Sequence, residues 1–295
     1  MKRKTAHRIR LVGEGLQTFE RQANPKPLSD DTTNGFSRTI GALGSETFAA
    51  FRHAEQLVVG AGRLGSMWLD TMIRGGLRRV IDPDHLEEHN RDATFGNLPG
   101  DLGKPKSHVI ARHLGAIRPD AQITGFEATV DDEAMLSRFR QCDIVVTCVD
   151  NDACRRHVAA LCAQLLKVHL DIGTLVTRIV DGDLGDQSAS QIQADIRLML
   201  PGACLACVGG LEANDSALNP WGGDVAWKSG GRIGSLTSIN HMAVGVAQQL
   251  LYDFLGGKLD TSYWHRLQWS TPGELQSLAG ATKGDPQCAI CHEIS

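Results

Sequence analysis

The chain has 295 residues, 42% of them apolar and 22% charged, and a formal net charge of −4. That length holds one large α/β domain or two ordinary ones, and the charge offers no global basic field to attract nucleic acid. The longest apolar stretches are interrupted by charges before membrane-spanning length, and basic Met1-Lys2-Arg3-Lys4 lacks the apolar run of a secretory signal behind it. Of the eight cysteines, four sit in two C-x-x-C pairs rather than in a disulfide framework, so a soluble, reduced, cytoplasmic protein is expected.

Ile9 to Val12 reads as a short strand. Gln22 to Gly35 is polar, with Pro25 and Pro27, which is linker composition. Residues 1–35 are therefore expected as an N-terminal extension and 36–295 as the main domain. Order resumes at Phe36-Ser37-Arg38-Thr39-Ile40, and Gly44 to Ala54 is predicted helical around Phe48, Ala49 and Phe51.

The next stretch organises the rest. The apolar strand 57–60 stops at a glycine, and Gly60, Gly62 and Gly65 follow the G-x-G-x-x-G spacing. A helix over 64–74 follows and ends at Gly75-Gly76, where a C-terminal glycine belongs. Backbone N–H groups at such a turn stand at the positive end of the helix and hold phosphate oxygens. Glycine is required where a side chain would block the phosphate or the turn. On its own the motif suits NAD, FAD or ATP.

Arg78 to Asp82 is a second strand. Asp82 and Asp84 end it 20 and 22 positions past Gly62, where a doubly wound nucleotide fold places its ribose-binding carboxylate. Residues 85–104 form a long polar connection, a length that goes with function. Helices are predicted at Lys106–Gly115, Asp132–Arg140 and Ala153–Leu166, and strands at Gln122–Ala128, Asp143–Val149 and Val168–Ile172. This alternation implies an α/β fold with a doubly wound, mostly parallel, Rossmann-like sheet. Residues 174–200 alternate in polarity and predict antiparallel strands that extend it. The stretch 210–231 reads as a loop carrying Trp221 and Trp227. Ile233 to Leu255 is a long apolar helix, and Tyr263 to Trp269 a last strand.

Cys204 and Cys207 form one C-x-x-C pair, Cys288 and Cys291 the other. Each puts two thiolates on one tight turn, and two turns complete a tetrahedral shell for Zn²⁺. A closed four-sulfur shell leaves no open position, so the zinc is expected to be structural. Cys142, Cys148, Cys154 and Cys162 fall on apolar or helical positions and are expected in the core. The histidines show no ligand spacing.

Together these residues resemble the ThiF/MoeB/HesA family of ubiquitin-activating-enzyme-like adenylyltransferases. Phe36 to Ile40 with Leu43-Gly44 resembles the family's entry segment, and Gly60 to Gly65 its glycine loop. Asp82-Pro83-Asp84, Asn90 and Gly103-Lys104-Pro105-Lys106 resemble its D-x-D…N…G-x-x-K run. Asp150-Asn151 resembles its magnesium aspartate, and the paired C-x-x-C its zinc site.

The resemblance implies ATP-dependent adenylation of the C-terminal carboxylate of a small ubiquitin-like or sulfur-carrier protein, usually ending in Gly-Gly, with release of pyrophosphate. It implies Lys106 for neutralising the phosphates, Asp150 for Mg²⁺, and Asp84, or Asp82 beside it, for the ribose hydroxyls. It implies Asn90 as a hydrogen-bonding partner of ATP. Arg38 would reach a phosphate from the partner subunit, so a homodimer is implied. Plainer uses exist: Asp150-Asn151 as a helix N-cap, Lys106 as a surface lysine, Arg38 as partner of a surface carboxylate.

The sequence departs from the pattern at two places. Arg63 stands where a second consecutive glycine is usual. Ala93 stands where an arginine is usual, leaving Arg91 or Arg63 to replace it. Trp227 to Gly231 holds no cysteine, so no catalytic thiol is expected there. Three other readings stay open: adenylation of a ribosomal peptide, held by the N-terminal residues; a non-catalytic subunit binding a ubiquitin-like protein; and a NAD-dependent oxidoreductase with structural zinc.

Overall fold

The computed structural model describes residues 8–11, 17–20, 34–73, 79–82, 84–88, 91–92, 94–121, 123–179, 189–209, 211 and 232–291. Arg8–Leu11 (β1) and Gln17–Glu20 (β2) form an antiparallel hairpin with Arg8 opposite Glu20. The expected single strand near Ile9 is therefore half of a pair. The main domain opens with two short helices, Ser37–Leu43 (α1) and Ser45–His53 (α2), divided by Gly44 at φ +83°.

Among the described residues the main sheet has nine strands, in the order β11-β10-β8-β7-β6-β3-β4-β5, with β9 paired to β7. The parallel part comprises Gln56–Val59 (β3), Arg79–Ile81 (β4), Thr124–Phe126 (β5), Ile144–Thr147 (β6) and the first half of Val168–Ile179 (β7). Helices Arg63–Met72 (α3), Lys106–Ile117 (α4), Glu133–Gln141 (α5) and Asp152–Gln164 (α6) connect these strands. The antiparallel part adds Ala189–Met199 (β8), Arg232–Gly234 (β9), Ser262–Thr271 (β10) and Glu274–Thr282 (β11).

The doubly wound, mostly parallel core with an antiparallel extension matches the expectation, with four differences of extent. β7 runs seven residues beyond Ile172, because its pairing with β8, which begins at His169, continues to Ile179 after the pairing with β6 ends at Asp171. Residues 232–234 join the sheet, so the long helix (α7) covers Thr237–Leu255. The strand expected at 122–128 is confined to Thr124–Phe126. β11 was not expected: it is an edge strand exposed along most of its length, so no buried face patterns its sequence.

Both faces of the parallel sheet are covered at its centre, where β3 and β6 are buried along their whole length. Val58, Ile144 and Val146 face a core built with Trp68, Leu69 and Met72 of α3, Ile110 and Leu114 of α4, and Ala243, Ala247 and Leu251 of α7. Leu57, Val59 and Val145 point the other way, against Met135 and Phe139 of α5 and Val158 and Cys162 of α6. No described helix is long and apolar enough to cross a membrane.

Candidate functional site

In the order β6-β3-β4, chain direction reverses its march between β3 and β6. Ligand clefts of open α/β sheets form at such switch points, beyond the carboxyl ends of the strands. Three loops meet there: the glycine turn after β3, Asp82 and Asp84 after β4, and Asp150 after β6.

Two positions of the turn, Gly60 and Gly65, have no room for a side chain. Gly60 sits at φ +96°, and a methyl on it would lie 2.9 Å from Val149 Cγ1 and 3.0 Å from the Cys148 carbonyl oxygen. A methyl on Gly65 would lie 1.8 Å from the Gly60 carbonyl oxygen. Gly62 differs: no other atom lies within 4 Å of a methyl placed on it. It caps α3 without a side-chain hydrogen bond, and no acidic residue occupies the first turn. The open space therefore faces unpaired N–H donors at a helix N-terminus, the geometry that holds an anion.

Asp82 is buried, and its carboxylate accepts from the Ala61 N–H and, at 2.8 Å, from the Asp84 N–H. Burial pushes its pKa up to about 6; the two backbone donors oppose this, and the Asp84 charge adds to it. Asp84 is exposed and accepts from Lys106 Nζ at 3.0 Å. The Lys106 N–H also donates to the Asp84 carbonyl at 2.8 Å. The connection 85–104 explains the pairing. It leaves and returns at one place, through Leu86 N–H to the Lys104 carbonyl and Gly103 N–H to the Leu86 carbonyl, both 2.8 Å. Buried Asp101 braces it, accepting from Leu98 N–H (2.8 Å), Lys104 Nζ (3.0 Å) and Arg112 Nη1 (2.6 Å). The Arg112 hydrogen bond, first among these, holds that carboxyl well below the usual range.

Asp150 is exposed beyond β6. Asn151 is the N-cap of α6, its Oδ1 accepting from Ala153 (2.8 Å) and Cys154 (3.1 Å) N–H groups. Capping of α6 thus falls to Asn151. Burial first, and the charges of Asp82, Asp131 and Asp150, push the Cys154 thiol up to about 12, so it is no ready nucleophile.

Other expected residues lie apart. Arg38 is exposed on α1, whose entry is anchored by Phe36 stacked 5.1 Å from Phe48 and under Arg118 at 5.0 Å. No hydrogen bond or ion pair among the described residues joins Arg38 to the switch point. Arg91 is exposed and pairs with Glu88 at 3.0 Å. Asn90, Ala93, Gly75-Gly76 and residues 212–231 lie outside the described residues.

Two residues were not anticipated. Arg155 Nε and Nη2 donate to the Val149 carbonyl at 3.0 and 2.9 Å, next to Asp150. An arginine at helical spacing from buried Val158, Ala159 and Cys162 was the available signal. Asp101 gave none, because aspartate in a turn is ordinary.

The four cysteines of the C-x-x-C pairs converge, with all Sγ atoms within 4.8 Å of one another. Neighbouring sulfurs stand 3.5 Å (Cys204–Cys288), 3.4 Å (Cys207–Cys291) and 3.9 Å (Cys204–Cys207) apart. A tetrahedral zinc with bonds near 2.3 Å spaces its sulfurs by about 3.8 Å. The cluster could therefore bind zinc, and it packs on Ala159 of α6 and Met199 of β8.

Fold and cleft define a Rossmann-like α/β domain with a four-cysteine cluster that could bind zinc. The chain belongs to the ThiF family, whose model matches residues 36–267. Curated relatives include SUMO-activating enzyme subunit 2 of Dictyostelium discoideum, 29% identical over 47% of this chain and 22% of that protein. Human ubiquitin-like modifier-activating enzyme 7 is 30% identical over 46% of this chain and 14% of its own length. The sulfur carrier protein ThiS adenylyltransferase of Escherichia coli is 28% identical over 38% of this chain and 45% of itself. The matches thus span less than half of each relative. Among solved structures, E. coli MccB with AMPCPP and MccA shares the fold at TM-score 0.66 and 17% identity, covering 91% of this chain and 76% of that one.

Proposed function

We propose that the chain uses ATP to adenylate the C-terminal carboxylate of a small ubiquitin-like or sulfur-carrier protein ending in Gly-Gly. A carboxylate oxygen attacks the α-phosphorus, the bond to the β-phosphate breaks, and pyrophosphate leaves. No covalent enzyme group is needed; the work is positioning and charge cancellation. The observation that carries this reading is the convergence of the open Gly62 turn, the Asp82–Asp84–Lys106 group and Asp150 at one switch point.

The amides of Gly60 to Gly65 receive the phosphates. Asp84, with Asp82 behind it, accepts from the ribose hydroxyls, and Asn90 hydrogen-bonds the nucleotide. Lys106, now paired with Asp84, retains donors to neutralise phosphate charge. Asp150 would hold Mg²⁺, which would supply positive charge to offset that of the phosphates. Arg38, exposed on a separate helix, serves the pocket of the partner subunit in a homodimer, and Arg91 is a peripheral cation. Residues 210–231, rich in Gly, Asn, Asp and Trp, grip the substrate tail. The cysteine cluster holds structural zinc, and the setting is the cytoplasm. The catalysed adenylation in the named ThiS adenylyltransferase and the activating roles in the other relatives' names support the reading.

A second reading makes the substrate a peptide. The β1–β2 hairpin precedes the family match and supports a peptide-holding role for residues 1–35. ATP–pyrophosphate exchange tests both. A Gly-Gly-tailed carrier should stimulate exchange, and Asp150→Ala should abolish it without lowering the melting temperature. Stimulation by a short peptide alone selects the second reading. NAD binding without exchange for any acceptor would overturn both.

A further inference from the structure

We propose that Arg63 is a triphosphate-sensing cation. It exchanges its Asp92 partner for the β- or γ-phosphate of ATP and so makes the pocket discriminate ATP from AMP. This rests on the reading of the switch point as an ATP site.

Arg63 is the first residue of α3, immediately after the open Gly62. Its backbone N–H is among the unpaired donors of that helix end, so its side chain is rooted at the anion site. The guanidinium reaches away from the turn. Nη1 donates to Thr237 Oγ1 at 3.0 Å, and Nη2 pairs with Asp92 Oδ2 at 2.8 Å. Thr237 is the first residue of α7, a nineteen-residue helix with no side-chain N-cap and no acidic residue in its first turn.

Arg63 thus stands between two uncompensated helix N-termini, each carrying partial positive charge. It adds a full positive charge to them. Among its described partners, the counter-charge is the single carboxylate of Asp92, whose side chain is 74% exposed. A cation placed among positive ends and balanced by one solvated carboxylate favours the arrival of an anion with several charges. An exposed ion pair is weak and screened, whereas guanidinium–phosphate hydrogen bonds are charge-assisted and can be bidentate. Exchange of Asp92 for phosphate is therefore favourable. The Arg63 side chain is 18% exposed, so it is not free in solvent. AMP, with one phosphate, is held by the turn amides alone and does not need this cation.

The test is titration of the full-length protein with Mg-ATP, AMP and adenosine, without any protein substrate. Arg63→Ala should weaken ATP tenfold or more while AMP and adenosine stay within twofold. Asp92→Asn, which releases the guanidinium, should tighten ATP and leave AMP unchanged. Equal losses for ATP and AMP in Arg63→Ala, or unchanged ATP affinity in both variants, would overturn the proposal. The outcome is separate from that of the adenylation reading. Selective loss of ATP binding in a protein that shows no exchange rejects adenylation and upholds Arg63. Exchange that persists with ATP binding unaltered in Arg63→Ala does the reverse.

Discussion

Arg155 grips the carbonyl oxygen of Val149 with two nitrogens, while its third, Nη1, lies 3.4 Å from Asp171 Oδ2. Asp171 is fully buried and also accepts from Arg197 Nη1 at 3.0 Å. Its place in β7 is opposite Thr147 of parallel β6 and Arg197 of antiparallel β8. The loop bearing Asp150 is thereby tied to the seam between the two parts of the sheet. Arg155→Ala should remove both contacts while Arg197 still pairs with Asp171, a loss of about 1–3 kcal/mol from buried acceptors that lose a donor. Arg155→Lys keeps the charge but not the two-nitrogen grip, so it should retain more stability while raising the Mg²⁺ concentration needed for exchange. Denaturant unfolding beside a Mg²⁺ titration separates the two effects. An unchanged Mg²⁺ requirement in the lysine variant would confine Arg155 to a structural role.

Two glycines of one motif should respond oppositely to alanine. In Gly65→Ala the new methyl meets the Gly60 carbonyl at 1.8 Å, so backbone must move, at a cost of about 1–3 kcal/mol or more. Gly62 has φ −67° and open space around it. Gly62→Ala should melt like the parent yet bind ATP tenfold or more weakly, because the methyl enters the phosphate space. Scanning calorimetry and nucleotide titration read the two quantities. A normal melting temperature for Gly65→Ala would mean the turn is not as drawn.

Asp82 gives the site a pH dependence. Its folded-state pKa of about 6 lies above the ordinary value of 3.8. The folded protein therefore holds a proton the unfolded chain releases between those values. That contribution to stability is complete below pH 3.8 and is lost as pH rises through about 6. Ribose hydroxyls donate and favour the ionised form, so nucleotide affinity should rise as pH increases through the same region. Asp82→Asn should flatten both profiles. Affinity that stays constant from pH 5 to pH 7, a span of about two units, would remove Asp82 from nucleotide binding.

Metal removal should loosen the C-terminal part first. A ligand bound only by the folded state at about a thousand times its Kd stabilises by roughly 4 kcal/mol. Chelation, or Cys288→Ser, should lower the melting temperature by several degrees and raise hydrogen exchange around Leu205 and Ala159, which pack on the cluster. One zinc per chain by elemental analysis accompanies this expectation. A melting curve indifferent to verified metal removal would make the cluster a group of ordinary thiols.

Much of the cleft was legible because its signals are local. Gly60 to Gly65 states its own turn, Asp82 ends its own strand, and Asn151 caps its own helix. The pairing of Lys106 with Asp84 was not readable in detail, because it depends on the closure of 85–104 around Asp101. Arg155 escapes a reading of the sequence because its partner Asp171, shared with Arg197, lies in a strand whose register the sequence does not print. β11 escaped for a different reason: exposed Leu275 and Leu278 mark no buried face. The length of β7 is hidden because the strand continues along antiparallel β8 after its parallel neighbour β6 has ended.

The cysteine cluster also changes what a break in the chain means. With metal bound, the segment from Cys207 to Cys288 is a ring fastened by sulfur, carrying α7, β10 and β11. A protease that nicked this ring once would release no fragment; the two pieces would travel together until a chelator parted them.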